Sequence, residues 1–159
     1  MEEAIASHER NSNAGRFKVV DLGAHGFSIV MNALADKTGK IKPVKPALDT
    51  LVSFTEKDRT LGETLELISQ AVAEAGATPF HIGGPGSEDF LERTRIKMGA
   101  QNEPGRTILA KALRLSGDNL WAWTLSTLPD GLRVLALRPV EIEVDDAGHV
   151  GLQRMTAPR

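Results

Sequence analysis

Apolar and polar positions alternate strand-fashion near the start of the chain and recur with a helical period further on. Over residues 16–22, Phe17 and Val19 share one face and Lys18 takes the other, the period of two expected of a half-buried strand. The glycines at 23 and 26 turn the chain into a second strand over 27–34, so a hairpin is predicted. Before it, residues 2–12 are polar apart from Ala4, Ile5 and Ala6, which predicts a short N-terminal helix broken at Asn11-Ser12-Asn13-Ala14-Gly15.

After a connection over 36–46, Leu51, Val52 and Phe54 read as a short strand. Thr60 with Glu63 three residues on is a capping box, and Leu61, Leu65, Ile68 and Val72 line one face of a helix over 60–75 that Gly76 closes. A brief strand is predicted over 80–82, then the loop Gly83-Gly84-Pro85-Gly86, and Glu88-Asp89 as the acidic first turn of a short helix. Residues 94–98 alternate again. Asn102 or Glu103 is expected to cap a second main helix over 103–116, with Pro104 in its first turn and Ile108, Leu109, Ala112 and Leu113 on its apolar face. Trp121, Trp123 and Leu125 alternate with Ala122 and Thr124, and Asp130-Gly131 joins that strand to one over 132–140 as a hairpin. The expected fold class is therefore α+β, two main helices packed on short, largely antiparallel strands, with a β-α-β-β module in the C-terminal half.

A weak internal repeat emerges at an offset of 44 residues, with Val52 and Phe54 on Ile96 and Met98, Thr60 on Pro104, and Leu65 and Ile68 on Leu109 and Ala112. Any two strand-helix units of similar loop length superpose to this extent. One domain over 1–159 is expected: helix, hairpin and linker over 1–46, a first β-α-β half over 47–93, the β-α-β-β module over 94–140, and a tail over 141–159. In that tail Ile142 and Val144 alternate with Glu141 and Glu143, so further strands are possible.

Composition removes several function classes. Hydrophobic residues at 41% and charged ones at 25% are ordinary globular usage, whereas aromatics at 4% with no tyrosine leave little for base stacking. The net charge of −2 and the scattering of basic residues argue against a nucleic-acid partner, and the four lysines of 37–45, interleaved with glycine and proline, read as a solvated linker. The absence of cysteine excludes disulfides and thiolate chemistry. No apolar run is long enough for a membrane span, and Met1-Glu2-Glu3-Ala4 has the wrong charge for a signal peptide; the chain is expected to be cytosolic or to begin where a leader was removed.

The four histidines, at 8, 25, 81 and 149, show no helical metal-site spacing, and neither a nucleophile elbow nor a phosphate-loop consensus occurs. Of the histidines His81 alone stands out, on a short strand before the glycine loop, so His81, Gly83 and Gly84 form the candidate ligand site of a small-ligand binder or hydrolase. Paired acids such as Asp145-Asp146 sit in turn-like surroundings. Trp121 and Trp123 could form an aromatic platform, although two such residues at period two more often pack into a core. These readings point away from an enzyme and imply no cofactor and no metal.

The segment Asn102-Glu103-Pro104-Gly105-Arg106-Thr107-Ile108-Leu109, then Leu113 and Leu120-Trp121-Ala122-Trp123-Thr124-Leu125, resembles uncharacterised exported bacterial proteins of acidobacterial type. Asn13-Ala14-Gly15-Arg16-Phe17 and Leu48-Asp49-Thr50 are similar to the front of the same proteins. The module over 94–140 also resembles the short domain at the N-terminus of secretins and TonB-dependent receptors. That resemblance implies a periplasmic or extracellular interaction module and brings no catalytic residues. The expectation is a protein-protein interaction or assembly module of the cell envelope, self-associating or binding a protein partner by strand-edge pairing, with Trp121, Trp123, Ile142 and Val144 as candidate interaction residues.

Overall fold

The computed structural model describes residues 15–36, 38–76, 78–83, 87–117, 120–127, 132–144 and 150–153, and the expected helix over 2–12 lies outside them. Among the described residues the chain forms nine strands and three α-helices in an α+β arrangement. β1 (Gly15–Asp21), β2 (Phe27–Ala35) and β3 (Ile41–Pro43) form one antiparallel sheet in that order. β4 (Leu51–Thr60) leads into α1 (Leu61–Glu74), β5 (Phe80–Gly83) and α2 (Ser87–Arg93); β6 (Arg95–Pro104) leads into α3 (Gly105–Leu115), β7 (Leu120–Thr127), β8 (Arg133–Val144) and β9 (Val150–Gln153). β4 pairs with β6 alone, while β8 lies between β5 and β7 and its far end pairs with β9. The β-α-β-β segment is thus divided between two sheets.

The helices form where the sequence pattern places them. Thr60 Oγ1 accepts from the Glu63 N–H at 3.1 Å and a Glu63 carboxylate oxygen accepts from the Thr60 N–H at 2.8 Å, completing the capping box. Leu61, Leu65, Ile68 and Val72 of α1 join Ile108, Leu109, Ala112 and Leu113 of α3 in a single core with Val52, Phe80, Ile96, Met98, Leu135 and Leu137. α1 and α3 touch, and each also contacts strands of both flanking sheets. A Cβ on Gly105 would stand 3.1 Å from Ile68 Cγ2, so the first residue of α3 has no side chain where Ile68 fills the helix contact. Ser69 fastens β5 to α1: its Oγ donates to the Phe80 carbonyl at 2.7 Å and accepts from the Phe80 N–H at 3.0 Å.

Four expectations are corrected. The strand beginning at Leu51 continues for ten residues through Glu56, Lys57, Asp58 and Arg59, because β6 supplies partners: Arg95 meets Asp58 at 2.8 Å and Lys97 meets Glu56 at 3.2 Å. β4 bulges between Phe54 and Lys57, and Arg59 bridges the irregularity by donating to the carbonyls of Thr55 and Met98 at 2.9 and 3.3 Å. The second main helix is capped by neither Asn102 nor Glu103. β6 runs through Pro104, which is itself the N-cap, and Asn102 sits in the left-handed region at φ 54° with its N–H donated to Ser53 Oγ at 2.8 Å.

The supposed linker over 36–46 contains β3, which extends the hairpin. Asp36 organises the turn into it, accepting from Thr38 N and Oγ1 and from Lys40 N, with Lys42 Nζ 3.0 Å away. These contacts, the Thr38 hydroxyl foremost, lower the Asp36 pKa to about 2. Finally, the hairpin turns the other way: Ser28 and Val30 are buried, whereas Val19 is exposed with Phe27 and Ile29.

Arg106, at the start of α3, has a side chain only 4% exposed. Its Nε donates to Asp49 Oδ1 at 2.7 Å, and Nη2 lies against the same oxygen without a hydrogen-bond alignment. Asp49 belongs to the 3₁₀ turn Ala47–Asp49 just before β4. The Gly105 N–H donates to the Thr50 carbonyl at 2.9 Å beside this pair.

Replacing Asp49 by alanine leaves a buried guanidinium uncompensated and should cost about 3 kcal/mol in urea denaturation. Arg106→Met should cost less, because Asp49 reaches water, and adding it to Asp49→Ala should recover part of the loss. At Gly99 a Cβ would stand 2.7 Å from the Glu56 backbone nitrogen, so Gly99→Ala should cost roughly 2 kcal/mol by prising the ladder apart. Gly62→Ala, where the nearest atom is 3.6 Å away, should be neutral or mildly stabilising. An NMR titration should place the Asp36 midpoint at about 2 and move it up in Thr38→Val. Because the folded pKa is depressed, the turn's contribution is present above the unfolded value and fades as pH falls through 2.

Candidate functional site

An open sheet edge is a chemical feature in itself, since its N–H and C=O groups point at whatever lies beside them. Natural edges are blunted by charge, proline, bulges or brevity. β1 carries Arg16, Lys18 and Asp21; β3 is three residues long and contains Pro43; β5 is four residues long. β4 presents four consecutive charged residues and the bulge, and β6 combines Arg95, Lys97, Gly99, the left-handed Asn102 and Pro104. All five are guarded.

β7 is different. Its eight residues, Leu-Trp-Ala-Trp-Thr-Leu-Ser-Thr, include no charge, no proline and no glycine. It runs in unbroken antiparallel register with β8 from Leu120↔Val140 to Thr127↔Arg133, and no described strand pairs with its other edge. Trp121, Trp123 and Leu125 pack against the core, while Ala122, Thr124 and Ser126 are exposed. The Trp121 ring lies 4.6 Å from that of Phe90, tilted by 31°. The two indoles therefore form no solvent platform; they anchor the strand and leave its backbone edge outward. Trp121 Nε1 is buried without a hydrogen-bond partner among the described residues.

Ile142 and Val144 lie on the extension of β8, opposite Leu152 and Val150 of β9. The tail thus folds back along its own strand, which covers one side of β8 beyond the end of β7. That pairing follows from the alternation seen in the sequence, as does the β7–β8 hairpin.

His81 stands on β5 opposite Val134 in parallel register, with an exposed side chain. Gly83 closes β5 where a Cβ would press to 3.2 Å from Val134 Cγ1, so the missing side chain is accounted for by packing against β8. Gly84 lies outside the described residues. Two open surface depressions occur elsewhere, one lined by Lys57, Glu63, Glu66 and Arg95 and the other by Phe54, Glu56, Ala100 and Glu103; His81 lines neither. Among the described residues no group of three or more His, Asp or Glu side chains is placed to hold a metal ion, and no helix is long and apolar enough to cross a membrane. Compared with protein-family models, curated proteins and solved structures, the chain matches none.

Proposed function

We propose that this domain is a non-enzymatic interaction or assembly module of the bacterial cell envelope that pairs the open edge of β7 with a strand from another chain. The observation that carries this reading is the contrast between β7 and the five guarded edges. A strand docked there extends the sheet and satisfies backbone groups that otherwise rely on water. The inward tryptophans keep the edge rigid, which lowers the ordering cost of binding. Placement in the envelope rests on the resemblance of the 94–140 segment to the secretin and TonB N-terminal short domain. The alternative is a ligand site built on His81 and the 83–86 loop; His81 lines neither of the two depressions.

Lysines at the exposed positions Ala122 and Thr124 would guard the edge with little effect on the core. The wild-type chain should show concentration-dependent association by size-exclusion chromatography with light scattering, or retain a partner from envelope extract. Ala122→Lys/Thr124→Lys should lose that behaviour while its denaturation midpoint shifts by no more than about 0.5 kcal/mol. A wild-type chain that stays monomeric at high concentration and retains no partner would remove the reading.

A further inference from the structure

The N-terminal sheet turns its larger apolar side chains toward water. On β2, Phe27, Ile29, Met31 and Leu34 are between 37% and 54% exposed, whereas Ser28 and Val30 on the opposite face are buried. The register sets Val19 beside Ile29 and Phe17 beside Met31, so apolar positions of adjacent strands share the outer face, and Leu34 lies opposite Lys42 of β3. Neither of the two depressions described above is lined by these residues. A contiguous apolar surface of this kind marks a contact.

Charge selects what makes that contact. Residues 15–46 hold Arg16, Lys18, Lys37, Lys40, Lys42 and Lys45 against Asp21 and Asp36, although the whole chain carries a net charge of −2. Lys18, Lys40 and Lys45 are exposed, and Lys42 keeps 63% of its side chain exposed despite its contact with Asp36. A second copy stacked face to face would bring two net-basic sheets together. A surface that is apolar within and anionic at its boundary meets both features at once.

We propose that the outer face of β1, β2 and β3 is a peripheral docking surface for an anionic lipid bilayer. Phe27, Ile29 and Met31 enter the boundary between headgroups and acyl chains, while Lys40, Lys42 and Lys45, in and beside β3, stretch to the headgroup phosphates; Lys18, beside buried Val30, belongs to the other face. This contact is separate from the β7 edge and stands or falls independently of it.

Vesicle flotation of the full chain tests it, using phosphatidylcholine alone and phosphatidylcholine with about one third phosphatidylglycerol. The wild-type chain should float with the anionic vesicles only, and raising the salt should release it. Phe27→Thr/Ile29→Thr, which keeps good strand formers at exposed positions, should lower the partition coefficient at least ~10-fold. Lys40→Glu/Lys45→Glu, which leaves the apolar face intact, should do the same and provides a readout should the first variant fold poorly. Absence of wild-type binding overturns the proposal, as does binding that both variants retain. A threonine variant that abolishes self-association of a chain that never floats would reassign the face to a contact between copies.

Discussion

The buried guanidinium of Arg106 ties together segments that lie far apart in the chain. A cation this secluded is tolerable only beside an anion, and Asp49 supplies it from a turn far away in sequence. That pairing holds the 3₁₀ turn against the first turn of α3, and the Gly105 N–H bond to Thr50 closes the same junction. From there Leu51 is registered opposite Pro104, and the β4–β6 ladder follows. Leu48-Asp49-Thr50 and Pro104-Gly105-Arg106 therefore meet in space as the two halves of one ion pair. Their chemistry is architectural.

The ladder also gives the internal repeat a physical form. At an offset of 44 residues, Leu51 and Thr60 bounding β4 fall on Arg95 and Pro104 bounding β6, and Leu61 opening α1 falls on Gly105 opening α3. Leu51↔Pro104 and Thr60↔Arg95 are the same pair related by exchange of the halves, as are Val52↔Glu103 and Arg59↔Ile96. The ends of the ladder thus match by exchange of the halves, while its middle, where Phe54 faces Ala100 and Lys57 faces Met98, does not. β8 breaks the equivalence by lying between β5 and β7, parallel to one and antiparallel to the other. β8 gives one edge to β5 and the other to β7, and no described strand pairs with the side of β7 turned away from β8.

What the sequence makes legible is what depends on neighbours along the chain. The capping box at Thr60 and Glu63, the apolar faces of both main helices, the β7–β8 hairpin and the pairing of the tail all follow from local spacing. The bulge near Glu56, the left-handed Asn102 and the length of β4 arise from contact with a partner strand more than thirty residues away, and no local pattern announces them. The same holds for the hairpin: Phe17, Val19, Phe27 and Ile29 have the alternation of a buried face, and only the docking of the turn at Gly23–His25 onto α3, where Arg114 donates to the Ala24 carbonyl at 2.7 Å, decides which face turns inward. Of the candidate site, the strand at Trp121 and Trp123 is readable and an open edge is expected in its hairpin or in the tail over 141–144; which of the two lacks a partner depends on pairings that no local pattern announces.

Whether an edge is guarded or open depends on the residues at its outward positions. Glu56 and Asp58 pair with Lys97 and Arg95 across β4 and β6, and these exposed ion pairs, each worth well under about 1 kcal/mol, act more as a barrier to further strand addition than as a source of stability. On β7 the outward positions Ala122, Thr124 and Ser126 are small or hydroxylated, compatible with a neighbouring strand on either register face and repelling none. The inward positions include both tryptophans, which fixes the strand's face and prevents it from slipping by one residue, since a slip would put two indoles into water. An edge that is both permissive to a partner and locked in its own register is the combination that strand addition requires.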